Sequence, residues 1–263
     1  MLFFLLVFCL LASIVSIYIG KEQVFYLGDG IIHSSAMFIL AGSFFANSSA
    51  SFVLMLAYCL FTSGFLMLIK NNEDKTASLC LFAYFSLVVS SFITQFTSKI
   101  NVHELIEGYF LGSGEYSALI CGVMFAIFAM LFAVMFVDNI LEKPSKAKFL
   151  HSAPVVFITN FLISFAILIM AKQLGFLITS CFIVAPFVFA RFFTSCNKRS
   201  FLLGTLLTTS SALIGYWICM IYNLVLNITI CFVMFMVFSF GFLIKASTLV
   251  GCRECKTPPV SKN

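Results

Sequence analysis

Asp29 and His33 stand four residues apart in the run Gly28-Asp29-Gly30-Ile31-Ile32-His33-Ser34, at the mouth of a long apolar stretch. In a helix, positions i and i+4 share a face, so this carboxylate and this imidazole come within reach of one ion. A carboxylate oxygen with an imidazole nitrogen suits zinc, manganese or iron as divalent ions. An aspartate in the lipid core costs roughly 2.5–3.5 kcal/mol on insertion scales, so its presence there points to function. The same residues admit a plainer reading: Asp29 caps a helix N-terminus and His33 bonds a neighbouring carbonyl inside it.

Other residues capable of chemistry are fewer. The ten cysteines make no disulfide framework. Cys9, Cys59, Cys80, Cys121, Cys181 and Cys231 fall inside apolar stretches, where a thiol behaves as a small hydrophobe. Cys252-Arg-Glu-Cys255 is a lone C-x-x-C on a basic tail, with no second ligand pair to complete a structural metal site. Glu104, Glu107 and Glu115 gather within 98–115, either as an acidic vestibule that attracts cations or as a solvated loop.

The elements that position these residues are set by lipid. Of the residues, 62% are hydrophobic and only 10% charged, whereas a soluble domain carries about a quarter charged. About 20 apolar residues cross the hydrocarbon core. Spans are expected at 2–19, 31–46, 51–69, 77–97, 116–137, 153–171, 174–193, 201–222 and 228–244. The fold class is therefore all-α, a polytopic transmembrane bundle of nine spans, with eight the nearest alternative. The first span lacks a basic leader and a small-x-small cleavage site before Lys21, so it reads as a permanent helix. The bundle is expected over 1–245, with 246–263 a cytoplasmic tail and no soluble domain.

With the N-terminus outside, thirteen of the fifteen Lys and Arg residues fall on the inner side, and only Lys99 and Lys172 lie outside. This positive-inside bias predicts an odd number of spans and a cytoplasmic C-terminus. The second span then starts from the inner side, so either an ion site at Asp29 lies deeper than that span's boundary suggests or the topology of the first spans differs from this one.

Two stretches carry a family resemblance. Tyr26-Leu-Gly-Asp-Gly-Ile-Ile-His-Ser-Ser-Ala36 resembles the G-D-x-x-x-H-[AS]-[SA] element of the integral-membrane permeases of bacterial zinc and manganese ABC importers. Gly175-Phe-Leu-Ile-Thr-Ser-Cys-Phe-Ile-Val-Ala-Pro-Phe-Val-Phe-Ala-Arg191 is similar to that family's G-x-L-(L/I)-x-(S/T)-x-x-(L/I)-x-x-P-x-x-x-A-R helix. Between them, 105–112 resembles the short segment ending in (L/F)-F-G before the fifth span. Two departures stand out. Ser113 follows Leu111-Gly112 where the family has an acid, and the inner loop 138–153 lacks the glycine usual in its coupling helix.

The resemblance implies that Asp29 and His33 contact the transported ion. It gives Gly28 and Gly30 an abrupt helix start, Gly175 and Pro186 a bent helix, and Arg191 a place at the inner interface. Packing and anchoring serve equally for the last three. One chain offers two ligands and a two-fold homodimer four, enough for tetrahedral zinc or, with waters, octahedral manganese. No resident cofactor is implied, only a transported divalent metal, and no enzyme activity.

The implied partners are an ATP-binding subunit docking on 138–152 and 194–200, and an extracytoplasmic metal-binding protein at the acidic loop. Lipid surrounds the bundle in the bacterial inner membrane, and nothing points to nucleic acid. Rival readings are a secondary metal transporter and a membrane subunit of a redox complex. For the latter, His103 and His151 fall in loops rather than facing each other as haem ligands, and no span has a central Lys or Glu.

Overall fold

The computed structural model describes residues 2–21, 25–44, 48–69, 72–96, 117–140, 152–194 and 197–254. These residues form helices and no strand: α1 (Leu2–Lys21), α2 (Phe25–Phe44), α3 (Ser48–Leu68), α4 (Asn72–Phe96), α5 (Ser117–Ile140), α6 (Ala153–Leu174), α7 (Phe176–Phe193), α8 (Asn197–Tyr222) and α9 (Leu226–Glu254). Each expected span has its helix, and the chain is an all-α membrane bundle. In lipid a helix satisfies every backbone polar group within itself, which is why long apolar runs have this single outcome. Among the described residues, α6, α7, 199–222 of α8 and 226–245 of α9 are each long and apolar enough to cross a membrane.

Large side chains such as Phe52, Leu81, Phe85, Phe232 and Phe240 face outward, while Phe8, Leu11, Ile14, Ile31, Ile167 and Phe182 fill the core. Small hydroxyl residues also enter that core, because each can bond its own helix. Ser13 Oγ donates to the Cys9 carbonyl at 2.8 Å, Thr62 Oγ1 to Tyr58 at 3.0 Å and Thr208 Oγ1 to Gly204 at 3.1 Å.

Helix directions follow from cross-contacts. Gly30 packs on Leu79, and seven residues later the Met37 N–H donates to Ser86 Oγ at 3.0 Å, seven residues beyond Leu79. Helices α2 and α4 therefore run parallel. Against α7 the order reverses, with Gly28 facing Ile183 and His33 facing Phe176, so α2 and α7 are antiparallel.

Two sequence expectations change here. Helix α2 begins at Phe25, six residues before the expected 31. Gly28 and Gly30 lie inside it rather than freeing an abrupt start, and both allow close approach. A Cβ on Gly28 would meet Ile183 Cγ2 at 2.6 Å, and one on Gly30 would meet Leu79 Cβ at 3.2 Å. At the other end of the chain, α9 continues to Glu254, beyond the expected 244.

Gly175 and Pro186, expected to mark one bent helix, stand in different places: Gly175 between two helices and Pro186 inside the second. Gly175 alone joins α6 to α7, at φ 84° and ψ 164°, a region that side chains with a Cβ rarely enter. Its N–H donates to the Ala171 carbonyl at 3.0 Å. Pro186 is buried within α7 and removes one i→i−4 bond. The next N–H, from Phe187, donates to Ser16 Oγ of α1 at 3.1 Å, and Gly204 of α8 packs directly on the proline.

Candidate metal centre

Asp29 sits in the second turn of α2, so it is not a helix cap. Its Oδ1 accepts a hydrogen bond from Ser180 Oγ of α7 at 2.9 Å, a link between residues 151 positions apart. His33 Nε2 lies 3.4 Å from the same carboxylate oxygen. That separation is longer than the 2.7–3.2 Å usual for N–H···O bonds, so the contact between the two side chains is a weak one. The side chains are 36% exposed for His33 and 43% for Asp29, which leaves the pair open to an arriving ion.

His33 Nδ1 is buried and has no hydrogen-bond partner among the described residues. The imidazole packs near Phe176, with ring centroids 6.3 Å apart. The expected bond from His33 to a neighbouring carbonyl is thus not seen among these residues.

The turn between Asp29 and His33 is held from α3. Fully buried Tyr58 donates its hydroxyl to the Ile31 carbonyl at 2.7 Å and bonds Ser34 Oγ at 2.5 Å. Ser86 of α4 donates to the Ser34 carbonyl at 2.9 Å. Three helices therefore fix the short stretch of α2 that carries the pair: α3 through Tyr58, α4 through Ser86 and α7 through Ser180.

Sequence reasoning singled out Asp29 and His33 and missed Ser180 and Tyr58. Ser180 occupies the (S/T) position of the quoted proline-helix pattern, so a signal for it was present. Tyr58 left none, because a tyrosine in an apolar helix is ordinary. Gly28, Gly30, Gly175 and Pro186 serve packing and chain direction around the pair rather than contacting it. Arg191 lies at the far end of α7, its guanidinium carbon 4.8 Å from the Phe187 ring centroid.

Among the described residues, no group of three or more His, Cys, Asp or Glu side chains could close round an ion. Free thiols are present at Cys9, Cys59, Cys80, Cys181, Cys219 and Cys231. The acidic cluster Glu104, Glu107 and Glu115, the loop 141–151, the Cys121 side chain and the Cys252–Cys255 thiols lie outside what the structure describes.

No family model and no curated protein sequence matches the chain. A solved structure does: PsaBC from Streptococcus pneumoniae in complex with Fab is similar with a TM-score of 0.65 at 13% sequence identity. The match covers 92% of this chain and 89% of that one. The likeness is one of fold, and it extends over nearly the whole bundle that positions Asp29 and His33.

Proposed function

We propose that the chain is the membrane permease subunit of an ABC importer that carries a divalent transition metal into the cytoplasm, with Asp29 and His33 as the ion-contacting pair. The observation that carries this reading is the 3.4 Å approach of Asp29 Oδ1 and His33 Nε2, braced by Ser180. Metal bonds near 2.1 Å at the tetrahedral angle separate two ligand atoms by about 3.4 Å, and adjacent octahedral positions with the same bonds by about 3.0 Å. A small side-chain adjustment reaches either geometry from this spacing. Manganese and iron remain within the chemistry of the same donors.

Two chains related by a two-fold axis supply two carboxylates and two imidazoles, which neutralise a divalent cation and complete four-coordination. Oxygen and nitrogen donors also suit release, which a closed set of thiolates would oppose. Ser180 steadies the carboxylate, as partners behind metal ligands commonly do.

Depth supports the same reading. The pair lies against the Gly175 end of α7, and Arg191 and Arg199 mark its other end. With the basic end in the cytoplasm, as the positive-inside bias requires, the pair occupies the outer half of the membrane where imported ions arrive. The fold shared with PsaBC supports a permease role. Energy comes from a separate ATP-binding subunit at the inner loops, and ions from an extracytoplasmic binding protein.

The test is cellular zinc uptake by variants whose membrane abundance equals wild type. Asp29→Ala abolishes uptake, and His33→Ala nearly does so while shifting preference among zinc, manganese and iron. Wild-type uptake by well-expressed Asp29→Ala overturns the assignment.

A further inference from the structure

Gly175 ends α6 one residue before Phe176, the ring that faces His33, and a third helix holds this junction. The last four carbonyls of a helix have no partner within it. At the end of α6 one of these belongs to Leu174, a fully buried residue, where an unpaired carbonyl is costly. Asn227 of α9 supplies the partner. Its buried Nδ2 donates to the Leu174 carbonyl at 2.7 Å, across 53 positions of sequence.

The start of α9 is held firmly enough to serve as an anchor. Asn223, at φ 51°, turns the chain out of α8, and the Leu224 N–H closes that turn on the Cys219 carbonyl at 3.3 Å. Thr229 then bonds the Val225 carbonyl, through its N–H at 3.1 Å and its hydroxyl at 2.8 Å. On the α7 side of the junction, Thr179 Oγ1 donates to the Gly175 carbonyl at 2.7 Å. Each of the two carbonyls at the break is thus fixed by a side chain, one from α9 and one from α7.

The residues that follow the break reach the metal pair. Phe176 comes next after Gly175 and faces His33, and Ser180 comes next after Thr179 and donates to Asp29 Oδ1 at 2.9 Å. A rotation of the backbone at Gly175 moves both, because one short stretch of helix carries them. Amide bonds between helices are common glue in lipid. This one lands on the carbonyl from which the chain departs toward both Asp29 and His33.

We infer that Asn227 is a positioning residue for the Asp29–His33 pair. Through the Leu174–Gly175 junction it sets the heading of the first turns of α7, and with it Phe176 against His33 and Ser180 against Asp29. Its consequence for an ion rests on the reading of the pair as metal-contacting, whereas the positioning itself does not.

The test uses the purified full-length chain and two readouts. Of the three histidines, His33 is assigned in ring-carbon NMR spectra of histidine-labelled protein by its loss in His33→Asn. Asn227→Asp keeps the size of the side chain and removes the donor, and Asn227→Ala removes the donor without adding a charge. Each variant moves the metal-free His33 resonance and leaves those of His103 and His151 in place. Each also weakens zinc binding about tenfold, as loss of a partner behind a metal ligand does, in competition with a fluorescent chelator. Combined with Ser180→Ala, either change weakens binding by less than the product of the single effects. Ser13→Ala removes another buried bond between helices, to Thr208 Oγ1 at 3.0 Å, and changes neither readout.

A folded variant at position 227 with the wild-type His33 resonance overturns the role. So does an equal change in Ser13→Ala, or full additivity with Ser180→Ala. A wild-type chain that holds no zinc counts against the transport reading alone, and the His33 resonance then decides the positioning role.

Discussion

At the residue scale, the pair Asp29–His33 is defined as much by what presses on it as by its own chemistry. Gly28 precedes the carboxylate and sits against Ile183, where an added methyl would come within 2.6 Å of Ile183 Cγ2. Gly28→Ala therefore overpacks the α2–α7 contact at a cost of about 1–3 kcal/mol, and pushes Asp29 away from Ser180. Chemical-denaturant unfolding in detergent shows the loss, and combining Gly28→Ala with Ile183→Ala costs less than the sum of the two single changes. Equal stability of Gly28→Ala and wild type contradicts the packing. The pair was legible in the sequence as a candidate because Asp and His are rare in lipid and their spacing is helical. The brace was not, since a serine in a helix ordinarily bonds its own backbone and nothing local marks a partner 151 residues away.

At the element scale, hydrophobicity alone located the helices, because lipid permits few other structures. Boundaries were less legible. Gly28-Asp29-Gly30 has the composition of a helix break, yet packing against Leu79 and Ile183 keeps α2 helical from Phe25. Gly175 is the opposite case, a glycine whose conformation is demanded. Its φ of 84° makes Gly175→Ala strained by about 1–2 kcal/mol, wherever the new methyl points. That substitution lowers stability and displaces Ser180, which lies five residues further along α7. A thermal-unfolding midpoint unchanged from wild type would show that the α6–α7 break tolerates a Cβ.

At the scale of the whole molecule, the fold matches PsaBC over 92% of the chain, while sequence identity is 13%. Orientation is an expectation drawn from charge: with the N-terminus outside, thirteen of fifteen Lys and Arg residues fall on one side, which predicts a cytoplasmic tail. In intact cells, Cys252 and Cys255 resist a membrane-impermeant thiol reagent and react after permeabilisation. Ready labelling from outside would invert the topology and move Asp29–His33 to the inner half.

The most direct measurement of the central claim is metal flux into proteoliposomes made from the purified chain, with and without its ATP-binding subunit. With the subunit and ATP, zinc accumulates against its gradient. It does not accumulate when the subunit is omitted, nor when Asp29→Ala replaces the wild-type chain. Concentrative uptake by the chain alone, driven by an ion gradient, would make it a secondary transporter and contradict the account, as would full ATP-driven uptake by Asp29→Ala.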